Sequence, residues 1–283
     1  MRPIISIIIV NFNYGRFLES AIRSVVDQQG FDKCELIVVD GGSSDNSVEI
    51  IKKYASKIVW WCSEKDKGQS DAFNKGFAKA RGVFGCWVNA DDVLLSGAIE
   101  TVVGAIAKDP DHIDWIGGAT VWLDANLIVK RCAMCQSVPY FLQRYMPAII
   151  VGGPSAFFRI DLLRKLGGFD VSMYYMMDHD LWLRLAKYGA KLCMVKRYIW
   201  GFRLHEESKT AGNVRGSNVS GRMAVRSGDS RVLENRYPLT MRYWHLLCAV
   251  FKIIKIFTGC HLISLIDTLR FKGRNVVELR QHH

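Results

Sequence analysis

The chain has 283 residues, 49% of them hydrophobic, so it can bury a full core, and a disordered protein is excluded. Its formal charge of +11 is unevenly distributed, because residues 1–196 hold 23 basic against 21 acidic side chains and the last 87 residues carry the remaining +9. A near-neutral globular part argues against nucleic acid as a partner.

The cysteines and the first apolar run bear on the cellular compartment. The eight cysteines lack the spacing of a disulfide framework, and a reducing compartment fits them. The run from Ile4 to Val10 passes straight into Asn11 without a small-residue cleavage site. We therefore predict that it is a buried strand rather than a signal peptide.

The first half of the chain alternates between strand-like and helical patterns. Short β-branched and apolar runs predict strands at 4–10, 36–39, 58–62 and 85–88. Helical spacing and capping residues predict helices at 17–28, 46–55, 70–80 and 96–108. This alternation predicts a doubly wound, mostly parallel α/β sheet that binds ligands beyond the carboxyl ends of its strands.

The pattern becomes irregular beyond residue 110. Strand-like runs occur at 114–123, and helices are predicted at 161–166 and 178–188. Residues 205–232 are rich in Ser, Gly, Arg and Asn and almost free of large apolar residues. We expect them to form a mobile loop.

The C-terminal region predicts amphipathic helices. Between 239 and 257 the polar exceptions share one helical face, namely Arg242, His245, Lys252 and Lys255. A second apolar stretch at 262–269 is followed by Arg270, Lys272 and Arg274. A membrane span needs about 20 apolar residues with few charges, so we favour helices lying on anionic lipid. Packing on the domain or on a second subunit is the alternative.

Acidic and amide side chains follow several predicted strands: Asn11, Asp40, Asn89, Asp91 and Asp92. Carboxylates that adjoin on one sheet edge repel each other, and a hard, oxygen-rich site suits Mg²⁺ or Mn²⁺. Helix caps and solvated turns are the alternative explanation. We expect Asp92 to be an exposed strand-end carboxylate that contributes little to the core.

Ordered sequence blocks carry a resemblance to a known family. In the first half these are SIIIVNFN at 6–13, VVDGGSSD at 38–45, DKGQSDAFN at 66–74 and WVNADD at 87–92. In the second half they are GPS at 153–155, GGFD at 167–170, MDHDLWLR at 177–184 and RLHEES at 203–208. Over roughly residues 4–210 the chain resembles inverting family 2 glycosyltransferases with the GT-A fold, of the bacterial cell-surface polysaccharide type.

The resemblance implies roles for the strand-end residues on the donor side. The nucleotide would be received by Asn11, Phe12, Asp40, Asn89 and Asp91, with Phe12 stacking on the base and Asp40 accepting a base N–H. A core position is the alternative for Phe12. The family more often has Asp where this chain has Asn89.

Further residues would contact the metal and the diphosphate. Asp92 and His205 would bind Mn²⁺ or Mg²⁺, and an ordinary surface position is the alternative for His205. Lys209 and Arg215 would contact the diphosphate, with solvated charge as the equal alternative.

Asp178 matches the family's general base, although Met177 replaces the Glu that usually precedes it. A carboxylate at the start of a helix can take the proton of an attacking hydroxyl. The alternative is that Asp178 only caps that helix. Asp180 and Arg184, four residues apart, are predicted to form a structural ion pair.

The predicted organisation is a GT-A domain at 1–204, with a nucleotide-sugar half at 1–110 and an acceptor half at 111–204. A flexible basic loop at 205–237 and a membrane-associating tail at 238–283 would follow. The expected partners are a nucleotide-sugar donor, a glycan or lipid-linked acceptor and an anionic membrane surface, and an oligomer is possible. The expected location is cytoplasmic, peripheral on the inner face of the membrane.

Two other function classes remain open at this point. A metal-dependent nucleotidyltransferase would also use paired carboxylates on a strand edge. A non-catalytic, membrane-associated binding module would explain Asn89 and Met177 as marks of a decayed site.

Overall fold

A computed structural model describes residues 2–138, 140–143, 145, 150–208 and 228–277. Its strands are β1 Ile5–Asn11, β2 Cys34–Asp40, β3 Ile58–Ser63, β4 Phe84–Asn89, β5 Val93–Leu94, β6 Trp115–Leu123, β7 Val129–Ala133, β8 Ala156–Arg159 and β9 Leu192–Arg203. Its helices are α1 Gly15–Val26, α2 Ser47–Lys53, α3 Gln69–Lys79, α4 Ala98–Lys108, α5 Tyr140–Gln143, α6 Ile160–Lys165, α7 Met177–Tyr188, α8 Asp229–Arg236, α9 Pro238–Arg242, α10 Trp244–Phe257 and α11 Cys260–Phe271.

The strands form one sheet in the order β3-β2-β1-β4-β8-β6-β9-β5, and β7 also pairs with β6. The first four strands of the chain are parallel to one another. Alternate residues of β1 enter two hydrophobic cores, with Ile7 and Ile9 on the side of α1 and α4 and with Ile8 and Val10 on the side of α3. Burial on both faces explains the continuous apolar run. The predicted doubly wound α/β fold is confirmed.

The second half makes the sheet mixed. Strand β8 is antiparallel to both β4 and β6, whereas β9 is parallel to β6. The long strand β9 is not visible as an apolar run in the sequence, because exposed Lys196 and Arg197 interrupt it. It brings Arg203 beside the end of β4, where the Arg203 N–H donates to Asp92.

The prediction of a mobile loop at 205–232 is wrong for its last residues. Helix α8 begins at Asp229, and its Leu233 is buried in a hydrophobic core. Tertiary contacts, rather than a periodic apolar pattern, stabilise this helix. The predicted diphosphate contacts Lys209 and Arg215 lie outside the described residues. The domain boundaries at 204 and 237 stay predictions.

The predicted tail helix at 239–257 is divided into α9 and α10 at Tyr243. Of its predicted cationic face, Arg242, His245 and Lys252 are exposed, while Lys255 is partly buried near the Phe251 ring. Among the described helices none is long and apolar enough to cross a membrane by itself. The pair α10 and α11 meets that requirement only together, with a bend of 74° between the two helices.

Candidate active site

The carboxyl ends of β1 and β2 place Asn11 beside Asp40. The buried Asp40 carboxylate accepts four hydrogen bonds, from the Asn11 amide, the Ser43 N–H, the Ser43 hydroxyl and the Ser63 hydroxyl. Burial alone would raise the pKa of Asp40, but these hydrogen bonds outweigh it and hold the pKa below its usual value. Since a carboxylate offers about four acceptor positions, contact with a base N–H requires one of these bonds to give way.

Phe12 and Asp66 adjoin Gly41 directly beyond β2. The Phe12 side chain is 58% exposed, which excludes the core position considered for it. A Cβ atom on Gly41 would lie 2.6 Å from Asp66 Oδ2 and 3.3 Å from the Phe12 ring, so a side chain at position 41 would displace Asp66. Asp66 begins the sequence block at 66–74, and no role was predicted for it. Its side chain points to this surface, where an exposed aromatic ring could stack on a base.

Asp92 is fully buried, so the prediction of an exposed carboxylate is wrong. Its oxygens accept from the Arg203 N–H at 2.9 Å and from the Asn89 amide at 2.8 Å. Burial and the Asp91 charge raise the pKa of Asp92 well above its usual value. The physical reason is that β9 pairs with β5, directly after Asp92, across more than a hundred residues of sequence.

The position of Asp92 explains why the site accommodates an asparagine at position 89. The Asn89 amide nitrogen donates to Asp92, while its oxygen accepts from Gln69 at 2.8 Å. An ionised carboxylate at position 89 could not donate and would repel Asp92. The departure of Asn89 from the family pattern is therefore compatible with an ordered site.

Asp91 and His205 lie together at the same edge of the sheet. Asp91 Oδ2 is 3.1 Å from His205 Nε2, and the two side chains are 14% and 1% exposed. The rings of Tyr14 and Phe17 pack around the imidazole. Burial is the main cause that raises the pKa of Tyr14 to about 12, and the negative charges of Asp91 and Glu207 add to it. A buried position excludes the ordinary surface position considered for His205.

Asp178 lies in the first turn of α7 and is partly buried. Its Oδ1 accepts from the His179 N–H at 2.8 Å, and its Oδ2 faces Gly153, 3.6 Å from where a Cβ atom would lie. The Trp200 ring adjoins the same glycine. In the sheet, Trp200 of β9 pairs with Leu94 of β5, two residues after Asp92. Trp200 thus connects the surroundings of Asp178 with those of Asp92.

Helix α8 holds the segment that leads into α7. The buried Asp229 carboxylate accepts from the N–H groups of Tyr174, Tyr175 and Met176, at 3.1, 2.6 and 3.0 Å to one oxygen. At the other end of α8, Arg236 donates to Asp180 and Asp170. Asp180 also pairs with Arg184 at 2.7 Å, which confirms the predicted ion pair. The sequence contains no pattern that indicates the roles of Asp229 and Arg236.

A family model described as glycosyl transferase family 2 matches residues 6–167, more than half of the chain. The chain belongs to glycosyl transferase family 2. An uncharacterized glycosyltransferase of Mycobacterium tuberculosis is 28% identical over 190 residues, which cover 65% of this chain and 69% of that protein. A cholesterol galactosyltransferase of Borreliella burgdorferi is 34% identical over 111 residues, 38% of this chain and 31% of that protein.

Solved glycosyltransferase structures share the GT-A fold of this family 2 protein. S. aureus TarS 1-349 superposes with a TM-score of 0.56 at 19% identity, covering 72% of this chain and 60% of that one. The family 2 chain therefore spans less than two thirds of the TarS fragment. The mannosyltransferase PcManGT from Pyrobaculum calidifontis, in complex with GDP-Man and Mn²⁺, superposes with a TM-score of 0.55 at 15% identity, covering 99% of this chain and 87% of that one.

A divalent cation fits the residues at the end of β4. The described residues include no group of three or more His, Cys, Asp or Glu side chains that could hold a metal by themselves. Asp91 and His205 offer one oxygen and one nitrogen at a single place. In the described part of the chain, the buried His205 Nδ1 also has no hydrogen-bond partner. Two protein ligands suit Mg²⁺ or Mn²⁺ when substrate phosphates and water supply the others.

Proposed function

We propose that this glycosyltransferase moves a sugar from a nucleotide-diphosphate sugar to an acceptor hydroxyl, with inversion and with the help of Mn²⁺ or Mg²⁺. The observation that carries the proposal is the position of Trp200, whose ring adjoins Gly153 beside Asp178 and whose backbone pairs with Leu94, two residues after Asp92. It brings a carboxylate suited to proton transfer close to the polar edge where the donor would bind.

The donor side is formed by the ends of β1, β2 and β4. Phe12 would stack on the nucleotide base, and Asp40 and Asn11 would hold the loop beneath it. Asp91 and His205 would hold the cation, whereas Asp92 remains a candidate ligand only if it exchanges one of its present hydrogen bonds. When bound, the cation neutralises negative charge on the leaving diphosphate.

The acceptor side is formed around Asp178. As the acceptor oxygen attacks the anomeric carbon, Asp178 would take its proton while the bond from that carbon to the diphosphate breaks. A single displacement from the opposite side inverts the anomeric configuration and leaves no covalent glycosyl-enzyme. The described hydrogen bonds occupy Asp178 Oδ1, and Oδ2 faces Gly153, where an acceptor would have to approach.

The structural neighbours support the donor class. TarS 1-349 is known in complex with UDP and with UDP-GlcNAc, and PcManGT in complex with GDP-Man and Mn²⁺. We propose a donor of this nucleotide-sugar class and a lipid-linked sugar or polysaccharide as the acceptor.

The test incubates the purified protein with a panel of nucleotide sugars and with Mn²⁺, Mg²⁺ or EDTA. We expect release of a nucleoside diphosphate that requires the cation, together with an inverted anomeric centre in the NMR spectrum of the product. Consumption of nucleoside triphosphates with release of pyrophosphate would instead support a nucleotidyltransferase. Binding without turnover of any donor would support a binding module.

A further inference from the structure

Helix α11 has its polar side chains directed toward the sheet. Thr268 Oγ1 accepts from the Cys132 N–H and Ser264 Oγ accepts from the Met134 N–H, both at 2.9 Å. Asp267 accepts from the Tyr198 hydroxyl at 2.6 Å. These bonds satisfy a backbone donor of β7 and one of the residue that follows it, and they fix which side of the helix faces away from the protein.

The outward side of α11 and of the preceding α10 is apolar. We call this surface the tail face, and its exposed members are Leu246, Ile253, Ile256, Phe257, Leu262, Ile263, Leu265, Ile266 and Leu269. Phe257 is 87% exposed and Leu269 is 73% exposed. Because these hydrogen bonds hold α11 in place, the exposed side chains of α11 cannot turn inward by rotation of the helix. A soluble protein rarely exposes an apolar surface of this extent without a partner.

The charges around the tail face identify the partner. Exposed basic side chains lie on the same helices and directly after them: Arg242, Lys252, Arg270, Lys272 and Arg274. Between 238 and 277 the single acidic residue is Asp267, and it is buried against Tyr198. A second copy of this chain would bring like charges together, whereas anionic lipid headgroups would complement them.

We infer that the tail face docks on an anionic lipid bilayer, with its apolar side chains in the headgroup and upper acyl region and its basic side chains at the phosphates. Neither helix crosses the bilayer in this arrangement. The inference does not depend on the proposed transfer reaction, because it concerns a surface of α10 and α11.

Vesicle flotation of the full chain, without any donor, tests the inference. The vesicles contain phosphatidylcholine alone or phosphatidylcholine with phosphatidylglycerol, at low and high salt. We expect the protein to float with the anionic vesicles, to float less at high salt and to float least with phosphatidylcholine alone. Absence of flotation with every vesicle would overturn the inference.

Paired substitutions separate the apolar from the charged contribution. Phe257→Glu with Leu269→Glu should reduce partition onto anionic vesicles by about tenfold or more. Lys252→Gln with Lys272→Gln should remove only part of the binding, namely part of the fraction that is sensitive to salt. The matched control is Val59→Glu with Val171→Glu, two valines that are each 51% exposed and lie outside the tail face. The control should float like the unmodified chain.

Light scattering and a thermal melt complete the test. All four glutamate positions are exposed, so we expect unchanged melting curves. Unchanged flotation of the Phe257→Glu, Leu269→Glu protein would contradict docking through the tail face. If the unmodified chain does not bind vesicles and forms a dimer that this substitution dissociates, the tail face would instead be the contact with a second copy.

Discussion

At the scale of single residues, Asp178 offers the sharpest test of mechanism. Asp178→Asn keeps the size of the side chain and its carbonyl can still accept from His179, but it cannot take a proton at neutral pH. We expect transfer to fall by about 10²–10⁴-fold, the usual contribution of a general base, with donor affinity unchanged. Steady-state kinetics and calorimetric titration of the donor measure the two quantities separately.

The chain contains a close control for that substitution. Asp161 lies in the first turn of α6 and accepts from the next residue's N–H at 2.8 Å, as Asp178 does in α7. Asp161→Asn should leave both transfer and donor affinity unchanged. Near-normal transfer by Asp178→Asn would mean that another group removes the acceptor proton.

Asp40 supports a prediction about stability and pH. Asp40→Asn replaces one acceptor oxygen with an N–H₂ group, which would face other hydrogen-bond donors and lose the bonds that the oxygen accepted. We therefore expect the free energy of unfolding at pH 7 to fall by about 1–3 kcal/mol. The pKa of Asp40 is lower in the folded state, so its contribution is present above about pH 4 and is lost as the pH falls through the folded value. The difference between mutant and wild type should therefore shrink in acid.

Urea denaturation at pH 7 and at about pH 3 measures this difference. Asp27→Asn is the control, because Asp27 is an exposed carboxylate that pairs with Arg23 at the surface. It should change the free energy of unfolding by less than about 0.5 kcal/mol. An Asp40→Asn deficit that is the same at both pH values would show that the charge of Asp40 is not what stabilises the loop.

At the scale of secondary-structure elements, α8 is expected to set the position of α7. Arg236→Gln removes a charge that contacts both Asp170 and Asp180, at 2.6 and 2.9 Å. We expect kcat to fall by about tenfold through misplacement of Asp178, while donor affinity changes little. The comparison variant is Arg231→Gln, because Arg231 is exposed on the same helix. Equal activity of the two variants would count against positioning by α8.

The elements also show what the sequence could predict. The strands β1, β2 and β4 were recognisable because they are buried on both faces and contain uninterrupted apolar runs. Strand β3 lies at the edge of the sheet and was recognisable from its short apolar run, although Val59 is exposed. Strand β9 was not, because Lys196 and Arg197 break its pattern, and α8 was not, because its stability comes from contacts of Asp229 and Arg236 with distant residues. The burial of Asp92 depends on β9, so it could not be predicted from the neighbours of Asp92 in the sequence.

At the scale of the whole molecule, the tail helices belong to the folded structure. Phe271 and Leu269 are two residues apart on α11, yet Phe271 is buried in a hydrophobic cluster and Leu269 is exposed. Phe271→Ala should lower the free energy of unfolding by about 3–5 kcal/mol. Leu269→Ala, measured in the absence of lipid, should change it by less than about 0.5 kcal/mol.

Chemical denaturation of both variants decides whether the tail folds with the sheet. Similar small effects would indicate that α11 is an appendage whose contacts with β7 add no stability. The predicted outcome instead implies that removal of residues 238–283 uncovers the edge of β7 and promotes aggregation. Single substitutions on the tail face are therefore a better probe of lipid docking than truncation.

The contact between Trp244 and His179, with ring centroids 6.0 Å apart, joins the first turn of α10 to the residue that follows Asp178. If α10 rests on lipid, an acceptor anchored in the same bilayer diffuses in two dimensions past a stationary catalytic group. The concentration of the acceptor within the thin layer of the bilayer surface far exceeds its average concentration over the whole volume. Weak intrinsic recognition of the acceptor then suffices, and a detergent-free, water-soluble acceptor analogue should show a much higher KM than the anchored form at equal kcat.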